Sequence, residues 1–134
     1  MKYLLDTNIC IYIIKRKPIE VLEKFKQCKV GDIGISTITL SELEYGVQKS
    51  GNPEKNKKAL QEFLIPIEII DFDYNASLTY GKVRSYLERK GTPIGALDTL
   101  IAAHALSMNI PVVTNNEKEF IRVPYLHVEN WVNR

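Results

Sequence analysis

The sequence predicts an α/β fold, a parallel sheet with helices on both faces. Three observations carry that reading. Short apolar runs of strand length (MKYLL, IEII, IPVVT) alternate with longer stretches of helix length. The runs are predominantly apolar, interrupted only by Lys2 and Glu68, as expected of strands largely covered on both faces. No internal repeat, low-complexity segment or linker interrupts the 134 residues, the usual size of one domain, so residues 1–134 are read as a single unit.

The elements follow in order. Met1 to Leu5 is a short buried strand that ends at the polar Asp6-Thr7-Asn8, a helix start. Ile9 to Lys15 is a helix stopped near Pro18, and Ile19 to Cys28 a second, with Val21, Leu22 and Phe25 on one face. The β-branched residues of GDIGISTI place a strand at Ile33 to Ser36. Thr39-Leu40-Ser41-Glu42 matches a capping box, with a helix through Tyr45. Ser50 to Pro53 is a loop, and Glu54 to Leu64 a helix with Leu60, Phe63 and Leu64 inward. Ile67 to Ile70 is a strand. Tyr74 to Lys90 is a long helix with Leu78, Val83 and Leu87 as inward candidates. After the loop Gly91 to Gly95, Leu97 to Met108 is alanine-rich and apolar nearly all round, which predicts a central helix. Ile110 to Thr114 is a buried strand, and Leu126 to Val128 a last strand at the sheet edge.

Composition excludes more than it assigns. Hydrophobic residues are 45% and charged residues 25% of the chain, ordinary for a globular protein. The balance of 18 basic to 16 acidic residues, a formal +2, neither demands nor forbids nucleic-acid binding. Cys10 and Cys28 form no CxxC pair, and His104 and His127 are too distant to complete a zinc site. No apolar stretch approaches the ~20 residues of a membrane helix, and Asp6 follows only three apolar residues, too few for a signal-peptide core. The expectation is a cytoplasmic protein with no membrane partner. No Gly-Lys-Ser/Thr follows Gly91 to Gly95, and no GxSxG elbow is present.

Chemistry enters with the acids. Asp6 closes the first strand, Glu42 lies on the helix after the second, Asp98 opens the central helix, and Asn116 and Glu119 follow the strand ending at Thr114. A parallel sheet gathers such strand ends and helix starts along one edge. Four segments therefore deliver oxygen donors to one cleft. Oxygen-only donors suit hard cations such as Mg²⁺ or Mn²⁺, which activate water and neutralise phosphoryl oxygens. Each acid also has a simpler role: Asp6 as a helix cap, Glu42 as half of a capping box, Asp98 as a dipole partner, Glu119 as a surface charge. The joint pattern favours chemistry over four separate coincidences.

That pattern resembles the PIN domain and, within it, the VapC toxins of bacterial type II toxin–antitoxin modules. The carrying segments are LLDTNICIYIIK, ISTITLSELEYGVQKS, GTPIGALDTLIAAHAL and VVTNNEKEFIRVPYLHVENW, in family order over nearly the whole chain. The resemblance implies a three-layer α/β/α sandwich with a mostly parallel central sheet. It implies Asp6, Glu42 and Asp98 as metal-site residues, Asp6 and Asp98 as the direct ligands, and Mg²⁺ or Mn²⁺ as cofactor. The family's further acid after the fourth strand is replaced here by Asn116, so either Glu119 or a water-bridged Asn116 fills that place, with Glu119 added to the catalytic acids. Thr7, Asn8, Thr114 and Asn116 would orient the carboxylates.

The resemblance further implies an endoribonuclease toxin that inhibits translation. Its substrates would be structured RNAs, with cleavage in the initiator tRNA anticodon stem-loop expected. Its partner would be a VapB-type antitoxin whose tail covers a groove lined by Ile9 to Ile14 and Leu43 to Tyr45, and homodimers and toxin–antitoxin hetero-oligomers would form. Lys15, Arg16, Lys17, Arg84, Arg89 and Lys90 are candidates for RNA phosphates, and Tyr45 and Tyr86 for base stacking, with solvated or core-edge roles as the simpler account. The competing functions are a metal-free RNA- or antitoxin-binding module with a PIN fold, and a phosphoesterase acting on DNA or flap structures.

Overall fold

The computed structural model describes residues 1–133; Arg134, the last residue of the expected single domain, lies outside the described residues. The chain runs β1 (Tyr3–Leu5), α1 (Thr7–Lys15), α2 (Ile19–Gln27), β2 (Ile33–Ser36), α3 (Thr37–Gln48), α4 (Pro53–Leu64), β3 (Glu68–Ile70), α5 (Tyr74–Arg89), α6 (Ala96–Met108), β4 (Val112–Val113), α7 (Glu117–Phe120) and β5 (Val128–Glu129). The strands form one five-stranded sheet in the order β3-β2-β1-β4-β5. All four pairings are parallel, so the sheet expected to be mostly parallel is wholly so.

The strand period of two divides the core. Leu4 and Leu5 are both fully buried but belong to opposite faces, as do Val112 and Val113. Leu5, Ile33, Ile35 and Val113 pack with α1 to α4, through Ile9, Ile13, Val21, Leu43, Val47 and Leu60. Leu4 and Val112 pack with α5 and α6, through Val83, Leu87, Ile101, Ala102 and Ala105. The result is three layers, helices–sheet–helices. Burial of each such aliphatic side chain stabilises by roughly 1.5–3 kcal/mol, so strands of only two to four residues are held by packing more than by their ladders. Cys10 is a buried small side chain within the first layer. Among the described residues no helix is long and apolar enough to cross a membrane.

The order of the strands sets the site. From β1 the chain winds outward to β2 and β3, then returns to β4 and β5 on the other side of β1. The direction of winding reverses between β1 and β4, and ligands bind outside the carboxyl ends of strands at such a reversal. Asp6 stands at the end of β1 there, its backbone N–H donating to the Val113 carbonyl of β4 at 3.0 Å.

Four expectations need correction or addition. Thr39 and Glu42 do not make a capping box. Helix α3 begins two residues before Thr39, and Ser36 is the cap, its hydroxyl accepting the Ile38 N–H at 3.0 Å. Thr39 is instead inside the helix, fully buried, with its hydroxyl unpartnered among the described residues. Leu78 is not inward: it is 49% exposed, because the buried stripe of α5 runs through Ala76, Val83 and Leu87. Helix α6 is central but not buried all round, since Leu97 and Ala96 are exposed while Thr99 and Ile101 to Ala105 are buried. The one-turn helix α7 was not anticipated, being too short to show a period.

Candidate active site

Asp6 is built into the backbone before any chemistry. It caps α1, its Oδ1 accepting the Ile9 N–H at 2.9 Å, and it is only 3% exposed. The Thr114 hydroxyl, at the end of the adjacent β4, hydrogen-bonds its carboxyl. These bonds favour the charged form, but burial outweighs them and lifts the carboxyl above its ordinary range. Asp6 is therefore both the cap and a carboxylate whose charge is costly to hold, two roles compatible in one side chain.

Asp6 shares a pocket of about 310 Å³ with Glu42 and Asp98. Glu42 reaches it from the second turn of α3, and Asp98 from the first turn of α6. Thr7, Asn8, Ile11, Tyr45, Gly46, Lys49, Leu97 and Ile101 complete the lining. Three acids distant in sequence thus meet at the winding reversal of the sheet.

The fourth segment joins from β4 and α7. Asn116 donates its side-chain amide to Asp98 Oδ2 at 3.0 Å and to Glu119 Oε2. Glu119 Oε1 accepts the Gly95 N–H at 3.3 Å, tying α7 to the start of α6. The backbone N–H of Asn116 in turn donates to Thr114 Oγ1 at 2.9 Å. The hydroxyl of Thr114 thereby connects the Asp6 carboxyl to the Asn116 loop. Burial, followed by its contact with Glu119, pushes the Asp98 carboxyl up to about 7. Glu119 moves the other way, below its ordinary range, chiefly through its hydrogen bond with Asp98. Asn116 bonds to both carboxyls. Asn116 and Glu119, the two candidates for the fourth position, both lie beside Asp98, joined through the Asn116 amide.

Among the described residues no three His, Cys, Asp or Glu side chains stand as a ready-made group able to hold a metal ion. The acids converge on one pocket rather than on one point. Their chemistry nonetheless fits a hard divalent cation: the donors are oxygens, and the desolvation that raises both Asp6 and Asp98 is the penalty a cation would reverse. The Asn116 amide, lying between two carboxylates, already supplies partial positive charge there.

The cations expected to hold phosphate are elsewhere. Arg84 donates to the Tyr80 hydroxyl and to Glu88, Arg89 to Ser85, and Lys90 lies over Tyr86. Lys15 lines an adjoining apolar groove. The basic residue of the acidic pocket is Lys49, which sequence reasoning missed. Its signal was its place seven residues after Glu42, two helical turns along the same face. Tyr45 is 60% exposed at the pocket, whereas Tyr86 is half-buried on α5.

Comparison with known proteins identifies the family and the fold. The family model for the PIN domain matches residues 3–125. The chain is 44% identical over 131 residues to a tRNA(fMet)-specific endonuclease VapC of Salmonella typhimurium, covering 98% of both chains. It is 48% identical over 132 residues to a ribonuclease VapC2 of Rickettsia felis, again covering 98% of both. Among solved structures, DNA-bound VapBC from Salmonella typhimurium superposes with a TM-score of 0.93 at 44% identity, covering 98% of this chain and 99% of that one. VapBC2 from Rickettsia felis bound to a promoter DNA fragment gives 0.92 at 45% identity, covering 98% and 100%.

Proposed function

The chain belongs to the PIN-domain family, in its VapC group, and from that premise we propose that it is a divalent-cation-dependent endoribonuclease toxin that hydrolyses RNA phosphodiester bonds. The observation that carries the proposal is the meeting of Asp6, Glu42 and Asp98, from three separate elements, in one pocket at the β1–β4 reversal. The VapC relatives named ribonucleases and a tRNA(fMet)-specific endonuclease support the reaction class. The substrate we assign is tRNA, cut in the anticodon stem-loop of the initiator species, with loss of translation as the consequence.

Asp6 and Asp98, with Glu42, would hold the cation. When bound, Mg²⁺ or Mn²⁺ would neutralise charge developing on the phosphoryl oxygens and make water a competent nucleophile at neutral pH. The protein's own groups do the rest. Capping fixes Asp6 through the Ile9 N–H, and Thr114 orients its carboxyl. Asn116 orients Asp98 Oδ2. With its acids uncompensated, the pocket repels a phosphate backbone, so catalysis requires the cation.

The partner we assign is a VapB-type antitoxin, as in the VapBC structures that this chain resembles. An apolar groove of about 360 Å³ runs beside the acidic pocket, between α1, α3 and α4, lined by Ile11, Ile14, Leu43, Val47 and Leu60. Ile11, Glu42 and Gly46 line both hollows, so they adjoin. An antitoxin tail laid in the groove would reach the acids directly.

The test is cleavage of purified initiator tRNA with Mg²⁺, Mn²⁺ or EDTA. Cutting with either cation, none in EDTA and none by Asp6→Asn is the expected result. Cleavage of DNA flaps but not of RNA, or RNA binding with no cleavage under any cation, would replace the proposal with one of its competitors.

A further inference from the structure

Helix α3 carries a Tyr–Lys pair at the mouth of the acidic pocket that the cleavage chemistry leaves unused. Glu42, Tyr45, Gly46 and Lys49 are spaced i, i+3, i+4 and i+7, so one face of the helix presents them together, and all four line the pocket. Tyr45 is 60% exposed, so its ring is open to solvent beside the pocket. The Lys49 ammonium lies 4.9 Å from the centre of that ring. Lys49 is itself exposed, and no carboxylate lies within salt-bridge distance of it among the described residues. Gly46, between them in the lining, leaves the wall bare: a Cβ there would meet nothing within 4 Å. Across the pocket Leu97 is 43% exposed.

The same pairing occurs a second time, which separates position from composition. Lys90 lies 5.8 Å from the Tyr86 ring, again four residues on along a helix. That ring is half-buried on α5 and lines none of the acidic pocket. Lysine over tyrosine is thus ordinary helix-surface packing at α5, but at α3 it borders the acids.

A flat exposed ring next to a positive charge, at the entrance to an acidic floor, is the equipment that recognises a single-stranded nucleotide. Bases stack on aromatic rings whatever their sequence, and a lysine ammonium pairs with backbone phosphate as a point charge. We propose that Tyr45 and Lys49 form the nucleotide-holding subsite of the substrate cleft. Tyr45 stacks on an unpaired base beside the bond to be cut, and Lys49 pairs with an adjoining phosphate. This rests on the ribonuclease reading of the pocket and adds the part of the substrate that is gripped. It also accounts for how a polyanion approaches a floor of three acids: the one lysine lining the pocket stands at its rim. Tyr45 and Lys49 act here as substrate-positioning residues, while the acids carry the reaction.

The test separates grip from chemistry by measuring binding in a non-cutting parent. Asp6→Asn serves, since asparagine caps a helix as well as aspartate does. The probe is a fluorescent single-stranded RNA decamer carrying 2-aminopurine, titrated over a range of salt concentrations. Tyr45→Ala should weaken binding by roughly tenfold or more and abolish the 2-aminopurine quenching, while Tyr45→Phe and Tyr45→Trp retain both. Lys49→Gln should lower the slope of log K against log salt by about 0.7, the single-strand increment for one phosphate contact, with Lys49→Arg restoring it. Equal binding and quenching by Tyr45→Ala and Tyr45→Phe, or an unchanged slope in Lys49→Gln, would overturn the subsite while leaving wild-type cleavage intact. A wild type that cuts no RNA, with a parent that binds none, would overturn the ribonuclease reading and the subsite with it.

Discussion

Asn116 donates its side-chain amide to Asp98 Oδ2 at 3.0 Å and, in the same bridge, to Glu119. An amide therefore stands between two carboxylates, where it lowers their mutual repulsion without carrying a full charge. Asn116→Asp would replace a donor by a third acceptor and add negative charge to a partly buried site. In EDTA its melting temperature should fall by several degrees, since an unpaired charge there costs about 1–3 kcal/mol. Saturating Mn²⁺ should recover most of that loss, through preferential binding to the folded state. Calorimetry with and without Mn²⁺ checks both; a variant as stable as wild type in EDTA would contradict the bridging role.

Removal of Asp98's charge should act in the opposite direction on stability. Asp98→Asn keeps the shape, relieves the contact with Glu119, and should leave the metal-free protein as stable as wild type or slightly more so. Cleavage should drop by at least about a thousandfold, the scale of losing a group that holds the reacting centre. Parallel melting curves and initial rates decide. An unfolded variant would show that Asp98 is structural, and an active one that it is dispensable.

His104 offers a pH test away from the acids. It is 1% exposed on α6, meets Phe72 edge-on at 5.3 Å between ring centres, and its Nδ1 has no partner among the described residues. Burial lowers its pKa from the ordinary 6.5, against a smaller opposing pull from Asp73. Below pH 6.5 the unfolded chain therefore binds the proton that the folded chain resists, so stability falls as pH drops from there toward the lowered folded value. His104→Phe, which keeps a ring against Phe72 and has no proton to gain, should flatten the melting temperature over that range. An identical slope in the variant would assign the acid sensitivity to other groups.

The groove next to the pocket predicts a separable defect. Ile14 is half-buried in its lining. Ile14→Glu should raise at least tenfold the concentration of cognate antitoxin needed to halve the variant's own rate of RNA cleavage, because a charge would be desolvated in an apolar contact. Inhibition curves for the two proteins supply the comparison. Superimposed curves would place the antitoxin's contacts outside the groove.

How far the sequence was legible depends on how each feature is encoded. The bounds of β2 were readable because β-branched residues alternate with glycine between polar ends. The α3 start was misread because Ser36, Thr37 and Thr39 are all chemically able to cap, and only the turn of the chain out of β2 selects Ser36. Leu78 was misplaced because Leu is inward by default, whereas the α5 stripe is set by its contact with α6. Asp6, Glu42 and Asp98 were legible as a set because strand ends in a parallel sheet face one edge. Asn116 and Glu119 were posed as alternatives because one-dimensional spacing does not show that the single turn of α7 brings both to Asp98. Lys49 escaped because a helix-end lysine is ordinarily solvated, and only the pocket beside it gives it meaning.

The most direct measurement is single-turnover cleavage of purified initiator tRNA by wild type and Asp6→Asn, in Mg²⁺, Mn²⁺ and EDTA. Wild type should give discrete products with either cation and none in EDTA, and a fully folded Asp6→Asn should give none. Products from Asp6→Asn at the wild-type rate, or cutting by wild type undiminished in EDTA, would rule out a carboxylate-held cation as the cleavage centre.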